Sequence, residues 1–287
     1  MDWFVEALHE LHNPYGYGQR FLVDRVVYRD KTEFQDLIVF ETPLYGRVMA
    51  LDGVIQLTEK DEYCYHEMLV HVPLFAHGAA KSICVVGGGD GGMLREALRH
   101  PGIERAVLVE LDRTVIDVCR EHLPSLSDGA FDDPRVEVVI ADGVKFMAEP
   151  GETFDVMIID STDPIGPGEV LFTESFYADC KKHLNPGGIL VTQNGVPQFQ
   201  PEEVTNSFQR LSPSFKDVGF YLTVVPTYVG GFMALGWATD DERLRQVPVE
   251  VLADRVAKAG FETRYYTPEV HRAAFALPRF VKDLMRG

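Results

Sequence analysis

The sequence predicts an α/β protein in which a small antiparallel β domain precedes a doubly wound, mostly parallel sheet. Short alternating strand patterns fill residues 19–58, and from about residue 80 apolar strands alternate with helical segments. Strands that are apolar almost throughout are buried on both faces, which requires crossover helices between parallel strands. The 287 residues, 46% of them hydrophobic, can form one large domain or two modest ones. We place the β-rich domain at residues 1–75 and the doubly wound domain at residues 76–287.

The amino-terminal domain is predicted from four strand patterns, QRFLVDRVVY, QDLIVFET, GRVMALD and VIQLTE. Gly46 and the pair Asp52-Gly53 lie where hairpin turns are required. From Asp61 the pattern becomes helical and continues to Pro73. These features indicate a small antiparallel sheet followed by a helix.

The second domain is predicted from a strand–helix rhythm, with one clear amphipathic helix at residues 112–123. Its apolar strands are expected at residues 82–86, 106–110, 136–140, 154–160 and 189–193. Two further strands, at residues 218–225 and 232–239, flank Gly230-Gly231 and are expected to form an antiparallel pair that closes the sheet.

Composition excludes several function classes. With 44 acidic and 27 basic residues the net charge is −17, which disfavours nucleic acid and anionic membranes and favours cationic ligands. The amino terminus lacks the pattern of a signal peptide, and no apolar run is long enough to span a membrane. The four cysteines and nine histidines show no metal-ligand spacing. We therefore expect a cytoplasmic protein without a bound metal.

A glycine-rich loop opens the second domain. Gly87, Gly89 and Gly92 have G-x-G-x-x-G spacing directly after a strand, which is typical of a Rossmann-like nucleotide site. Glu110 ends the next strand, where a carboxylate can accept ribose hydroxyls, and Asp142-Gly143 follow the third strand, where adenine is read. The pattern fits NAD or an S-adenosylmethionine-type ligand. Asp90 within the loop opposes a pyrophosphate and favours a positively charged sulfonium.

A second acidic feature follows the fourth strand, where Asp160 and Asp163 stand three residues apart in a proline-stiffened loop. Carboxyl ends of parallel strands meet at one edge of a sheet, so this pair should lie beside Asp90. Three carboxylates can bind a metal. They can equally bind an organic polycation, which needs no ion.

These motifs resemble the signature blocks of bacterial spermidine synthases. The similar blocks, in order from about residue 33 to 235, are LDGVIQLTEKDEYCYHEM, VVGGGDGGMLRE, VELD, ADG, IDSTDPIGPGEVLF and PTYVGGF. The resemblance implies a class I methyltransferase-like fold and transfer of an aminopropyl group from decarboxylated S-adenosylmethionine to putrescine, giving spermidine and methylthioadenosine. It also implies a homodimer or homotetramer with no prosthetic group.

The resemblance assigns roles to individual positions. Asp160 matches the catalytic base. The matches to substrate-binding positions are Tyr65, His66, Asp90, Asp163 and Tyr228. The matches to thioadenosine-binding positions, together with the loop glycines, are Gln35, Gln56, Gly87, Gly89, Glu110, Asp142, Gly143, Pro167 and Gln193. One departure is Val229, where many bacterial relatives have a second tyrosine, so the preferred amine stays open among putrescine, cadaverine, agmatine and spermidine.

Three other functions compete with this interpretation. A methyltransferase that uses intact S-adenosylmethionine would share the fold, but Asp90 opposes the ligand's carboxylate. An NAD-dependent oxidoreductase would need a loop that accepts phosphate. A non-catalytic polyamine-binding protein would not need the base at Asp160.

Overall fold

The computed structural model describes residues 2–7, 17–161 and 170–286. Their strands form a two-stranded, a four-stranded and a seven-stranded sheet. In chain order the strands are β1 (Asp2–Val5), β2 (Arg20–Val23), β3 (Arg25–Lys31), β4 (Asp36–Thr42), β5 (Gly46–Leu51), β6 (Val54–Thr58), β7 (Ser82–Gly87), β8 (Arg105–Glu110), β9 (Val136–Ile140), β10 (Phe154–Asp160), β11 (Leu184–Gln193), β12 (Asp217–Val224) and β13 (Phe232–Thr239).

The amino-terminal sheet is antiparallel, as predicted, with strand order β3-β4-β5-β6. The segment predicted as a single strand, QRFLVDRVVY, is instead two strands that belong to different sheets. β2 pairs with β1, a strand that the sequence analysis did not predict, whereas β3 pairs with β4. The chain crosses between the sheets at Asp24, whose amide donates to the carbonyl of Glu41. A period-two pattern does not reveal which partner each half of the segment will pair with.

The seven-stranded sheet has the order β12-β13-β11-β10-β7-β8-β9. β7 to β11 run parallel to one another, and β13 pairs antiparallel with both β11 and β12. The predicted doubly wound sheet with an antiparallel closing pair is confirmed. Two apolar cores, one on each face, bury its central strands.

Helices cover both faces of this sheet. They are α1 (Tyr63–His77), α2 (Gly92–Leu98), α3 (Arg113–His122), α4 (Pro124–Ser127), α5 (Gly143–Ala148), α6 (Glu174–Lys182), α7 (Pro201–Leu211), α8 (Val249–Ala259), α9 (Pro268–Ala274) and α10 (Arg279–Leu284). The last three had no counterpart in the sequence analysis. No helix within the described ranges is both long and apolar enough to cross a bilayer.

Helix α1 continues beyond Pro73, where the sequence analysis ended it. A proline inside a helix removes one backbone hydrogen bond. All residues of α1 from Cys64 to Ala76 are buried, and many pack in the same core as β7, β10 and β11. This packing offsets the cost of the proline. The boundary between residues 75 and 76 stays a prediction.

Gly87 ends β7 and pairs in register with Asp160 at the end of β10. Its φ of 82° lies in the left-handed region, and a Cβ there would press against the backbone carbonyl of Asp160. Only glycine fits this position without displacing the strand end.

We expect Gly87→Ala to destabilise the fold by at least about 3 kcal/mol, because backbone strain adds to a steric clash. Gly129→Ala is the matched control, since Gly129 has a φ of 80° but nothing within 4 Å of its Cβ position. That variant should lose only about 1–2 kcal/mol of stability, because it gains backbone strain but no steric clash. Denaturant unfolding measures both, and equal losses would contradict the clash with Asp160.

Candidate active site

A cleft of about 490 Å³ opens at the carboxyl ends of β7, β8 and β10 and extends to the amino-terminal sheet. Every predicted site residue that the structure describes lines it. These are Gln35, Gln56, Tyr65, His66, Gly87, Gly89, Asp90, Glu110, Asp142, Gly143, Asp160, Gln193 and Tyr228. The other two, Asp163 and Pro167, lie outside the described residues.

The glycine loop leaves room for the charged side chains around it. A Cβ at Gly89 would lie 2.9 Å from Oε2 of Glu110, and one at Gly92 would overlap the ring of His66. The loop therefore lets two functional side chains approach the backbone, in addition to any ligand.

Glu110 lies at the end of β8, almost fully buried, and its Oε1 accepts the amide of Asp112 at 2.9 Å. Burial raises the pKa of the Glu110 carboxyl to about 7. The second carboxylate, Asp112, was missed by the sequence analysis, although it is the last residue of the VELD block. Its Oδ2 accepts from Thr32 Oγ1 at 2.8 Å and from Gln35 Nε2 at 3.1 Å. Asp112 thus connects the predicted ligand residue Gln35 to the large sheet.

Asp142 and Gly143 form the start of α5. Asp142 caps the helix, with Oδ1 accepting the amide of Val144 at 2.9 Å. A Cβ at Gly143 would lie 2.5 Å from Val86 Cγ1, so a larger residue would push the helix away from β7. Asp142 thus has a structural role as a helix cap, and its Oδ2 lies 3.9 Å from Lys145 Nζ. Its role at the ligand stays a prediction.

Asp160 lies at the end of β10 beside Tyr65, whose hydroxyl donates to Oδ1 at 2.5 Å. Burial, reinforced by the charge of Asp90, raises the pKa of the Asp160 carboxyl to about 7. An ordinary aspartate is a much weaker base. The site therefore holds a carboxylate able to take up a proton near neutral pH.

His66 lies between two carboxylates. Its Nε2 is 3.3 Å from Oδ1 of Asp90, and its Nδ1 is 2.6 Å from Oε2 of Glu62. Burial alone would lower the pKa of this imidazole, but the two carboxylates raise it to about 10. The pKa of Asp90 is lowered in spite of its burial, chiefly by His66. Sequence reasoning missed Glu62, although its spacing of four from His66 on a helical pattern was a usable signal.

Aromatic and apolar side chains form the remaining wall. The rings of Tyr65 and Tyr228 meet edge to face with centroids 5.9 Å apart, and the Tyr228 hydroxyl donates to the carbonyl of Gln56 at 2.7 Å. Gln193 ends β11 and is buried, and Val229 is buried in the same wall. An acidic cleft with aromatic walls suits an extended organic cation.

Comparison with known proteins agrees with this geometry. The family description "Spermine/spermidine synthase domain" matches residues 62–247, and "Spermidine synthase tetramerisation domain" matches residues 3–59. The chain belongs to the spermine/spermidine synthase family. The family predicted from the sequence motifs is thereby confirmed.

Relatives within the family cover almost the whole chain. A polyamine aminopropyltransferase of Shigella sonnei (strain Ss046) is 52% identical over 280 residues, which is 98% of this chain and 96% of the relative. One from Escherichia coli O1:K1 / APEC is 53% identical, with the same coverage.

Two solved structures share the fold. A spermidine synthase in complex with the transition state analogue AdoDATO aligns with a TM-score of 0.92 at 39% identity, covering 99% of this chain and 95% of that one. Spermidine synthase from Thermotoga maritima gives a TM-score of 0.91 at 38% identity, covering 100% of this chain and 94% of that one. The predicted fold class is confirmed.

The raised pKa of Asp160 predicts a gain in stability when its charge is removed. The pKa rises from 3.8 to about 7 on folding, so ionising Asp160 destabilises the folded state progressively between these two values. Asp160→Asn should therefore be more stable than the wild type at pH 8, by about 2–4 kcal/mol, and no more stable near pH 4. Tyr65 can still donate to the amide oxygen.

The measurement is unfolding of the ligand-free proteins at both pH values. Asp142→Asn is the control, because that side chain is 38% exposed and asparagine also caps helices. A gain for Asp160→Asn that is equal at pH 4 and pH 8 would contradict the ionisation account.

Proposed function

We propose that this chain transfers the aminopropyl group of decarboxylated S-adenosylmethionine to putrescine, giving spermidine and methylthioadenosine. The observation that carries the proposal is the pairing of Asp90 and Asp160 in one cleft with the glycine loop and Glu110. Two carboxylates suit a donor and an acceptor that are both cationic. The polyamine aminopropyltransferases among the relatives and the spermidine synthase bound to a transition state analogue support it.

The donor would lie along the glycine loop. Glu110 would accept the ribose hydroxyls, and Asp142 with Gly143 would face the adenine. The remaining contacts to the thioadenosine portion are assigned to Gln35, Gln56, Gly87, Gly89, Pro167 and Gln193. The amine of the aminopropyl tail would then lie near Asp90 and His66, in the most acidic part of the cleft.

The acceptor would enter between Tyr65 and Tyr228, with its distal ammonium held by Asp163. Its near amine must lose a proton before it can attack. Asp160 accepts that proton, and its raised pKa makes it a better base than an exposed aspartate. The nearby sulfonium also lowers the pKa of the amine.

The transfer itself needs no acid. The amine nitrogen forms a bond to the methylene carbon next to sulfur, and the carbon–sulfur bond breaks with its electron pair left on sulfur. Methylthioadenosine therefore departs as a neutral thioether. Orientation and electrostatic stabilisation supply most of the acceleration.

The assembly and location of the enzyme are further parts of the proposal. We infer a homo-oligomer, a dimer or a tetramer, from the tetramerisation-domain match at residues 3–59. Light scattering on the purified chain measures the subunit number. We infer a cytoplasmic enzyme from its four buried free cysteines, which suit a reducing compartment.

Product analysis by mass spectrometry tests the function. The enzyme should convert decarboxylated S-adenosylmethionine and putrescine to spermidine and methylthioadenosine. Parallel reactions contain intact S-adenosylmethionine, or cadaverine, agmatine or spermidine as acceptor. A methylated product from the intact cofactor would indicate a methyltransferase, and tight putrescine binding without any product would indicate a non-catalytic polyamine-binding protein.

We expect Asp160→Asn to keep its fold but to have a kcat for aminopropyl transfer about 10²–10⁴-fold lower than the wild type. The reason is that the amide cannot accept a proton. The side chains have nearly equal volume, so packing is preserved. Steady-state kinetics with putrescine measures the loss. Turnover equal to the wild type would remove Asp160 from the role of base.

We expect Asp90→Asn to change donor selectivity. Intact S-adenosylmethionine carries an extra carboxylate, and two like charges roughly 4 Å apart repel by about 4 kcal/mol at an effective dielectric constant of about 20. The repulsion corresponds to nearly a thousandfold in affinity. The variant should bind decarboxylated S-adenosylmethionine more weakly and the intact cofactor more tightly, as measured by calorimetry. An unchanged ratio of affinities would mean that shape alone discriminates.

A further inference from the structure

A row of side chains with alternating charge leads from the cleft into the protein. It consists of Asp90, His66, Glu62, Arg95 and Glu96, and we call it the charge row. The contacts along it are 3.3 Å from Asp90 to His66, 2.6 Å from His66 to Glu62, 2.8 Å from Glu62 to Arg95 and 2.9 Å from Arg95 to Glu96. The reaction described above uses only its first two members.

Both ring nitrogens of His66 face carboxylate oxygens, Nδ1 that of Glu62 and Nε2 that of Asp90. A neutral imidazole carries one N–H, so it would turn a lone pair toward one of these carboxylates. Only the imidazolium donates to both. The ring is 2% exposed, which leaves little water to replace either contact.

Glu62 is the carboxylate that contacts His66 on the side away from the cleft. It precedes α1, lies one helical turn before His66, and is buried. Its Oε2 accepts from His66 and from Arg95 Nη2. Asp90 on the other side is aimed by the amide of Gly92, which donates to Oδ1 at 2.7 Å.

Arg95 is itself held in place by hydrogen bonds other than the one to Glu62. Nε donates to Glu96 at 2.9 Å, and Nη1 donates to the carbonyl of Leu126 at 2.8 Å. Glu62 and Arg95 border a second cavity of about 290 Å³, the outer cavity, which Glu59 also lines. Glu62 thus lies between His66, which lines the active-site cleft, and the outer cavity.

We propose that Glu62 is a positioning residue that holds His66 as an imidazolium, so that Asp90 stays ionised and aimed at the aminopropyl ammonium of the donor, and that Arg95 positions Glu62. This inference rests on the proposed function. Neither residue would touch the substrates. Both would act through His66, whose positive charge offsets the crowding of Asp90 against Asp160.

The groups that surround His66 agree with this role. Glu62 and Asp90 contact its ring, and the ring of Tyr65, which donates to Asp160, meets it edge to face with centroids 5.8 Å apart. Arg95 contacts Glu62. Burial alone would lower the pKa of His66, and the carboxylates raise it to about 10. The pKa of Glu62 is lowered in spite of burial, by His66 and Arg95.

The test measures the charge of His66 directly, by ¹⁵N NMR of the full-length enzyme labelled at histidine. In the wild type the ring nitrogens should have imidazolium shifts at pH 8. In Glu62→Gln the pKa of His66 should fall by at least about one unit, because one of two counter-charges is gone. A neutral His66 ring in the wild type at pH 8 would overturn the proposal.

Arg95→Gln is the second variant, and its expected effect differs in sign. Removing a nearby positive charge leaves the pKa of His66 at or above the wild-type value. General loosening of the packing would instead move this pKa toward 6.5 in both variants. That shared shift would also overturn the proposal. Glu59→Gln is the matched control, since Glu59 lines the outer cavity but bonds the amide of Arg47, and it should change nothing at His66.

Binding and kinetics complete the test. Glu62→Gln should weaken the binding of decarboxylated S-adenosylmethionine roughly tenfold, which would appear as a raised KM. The affinity for methylthioadenosine should not change, because methylthioadenosine has no ammonium group. Equal losses for both ligands would contradict the positioning role. If the wild type forms no spermidine, the proposed function fails. If the wild type is active and Glu62→Gln binds and titrates like it, only the positioning role fails.

Discussion

The register between β7 and β10 is the contact on which the site depends. Gly87 and Asp160 pair at the strand ends, and the absence of a side chain at Gly87 lets the backbone of Asp160 approach closely. Ligands of doubly wound sheets bind where the strand order reverses, and β7 and β10 form that point here. The same pairing therefore sets the start of the glycine loop and the position of the proposed base.

Several carboxylates in one cleft repel each other and destabilise the folded state. Two features of the structure reduce this repulsion. Asp160 and Glu110 have pKa values raised to about 7, so part of their charge is given up near neutral pH. Asp90 instead keeps its charge, because His66 stands beside it. The neighbouring carboxylates Asp160 and Asp90 thus have different pKa values. That of Asp160 suits the uptake of a proton, and that of Asp90 suits the binding of a cation.

The amino-terminal sheet contributes to the cleft through individual polar contacts. Gln35 and Thr32 both donate to Asp112, at the start of α3, and Glu6 accepts the amide of Ile55 at 3.0 Å on the cleft wall. The cleft is accordingly lined by residues of both the amino-terminal part and the seven-stranded sheet. Movement of one sheet against the other would change the site as a whole.

The sequence by itself determined the class of fold and the chemistry of the cleft. Apolar strands in a strand–helix rhythm, the glycine spacing and acids at the strand ends are local signals, and similarity of motif blocks added Tyr65, Tyr228 and the glutamines. Tertiary structure decided the rest. Whether QRFLVDRVVY forms one strand or two depends on distant partners, and the continuation of α1 beyond Pro73 depends on packing against the sheet. The partners of Asp112 were likewise hidden, because hydrogen bonds between residues far apart in sequence, such as Gln35 and Asp112, leave no periodicity to read.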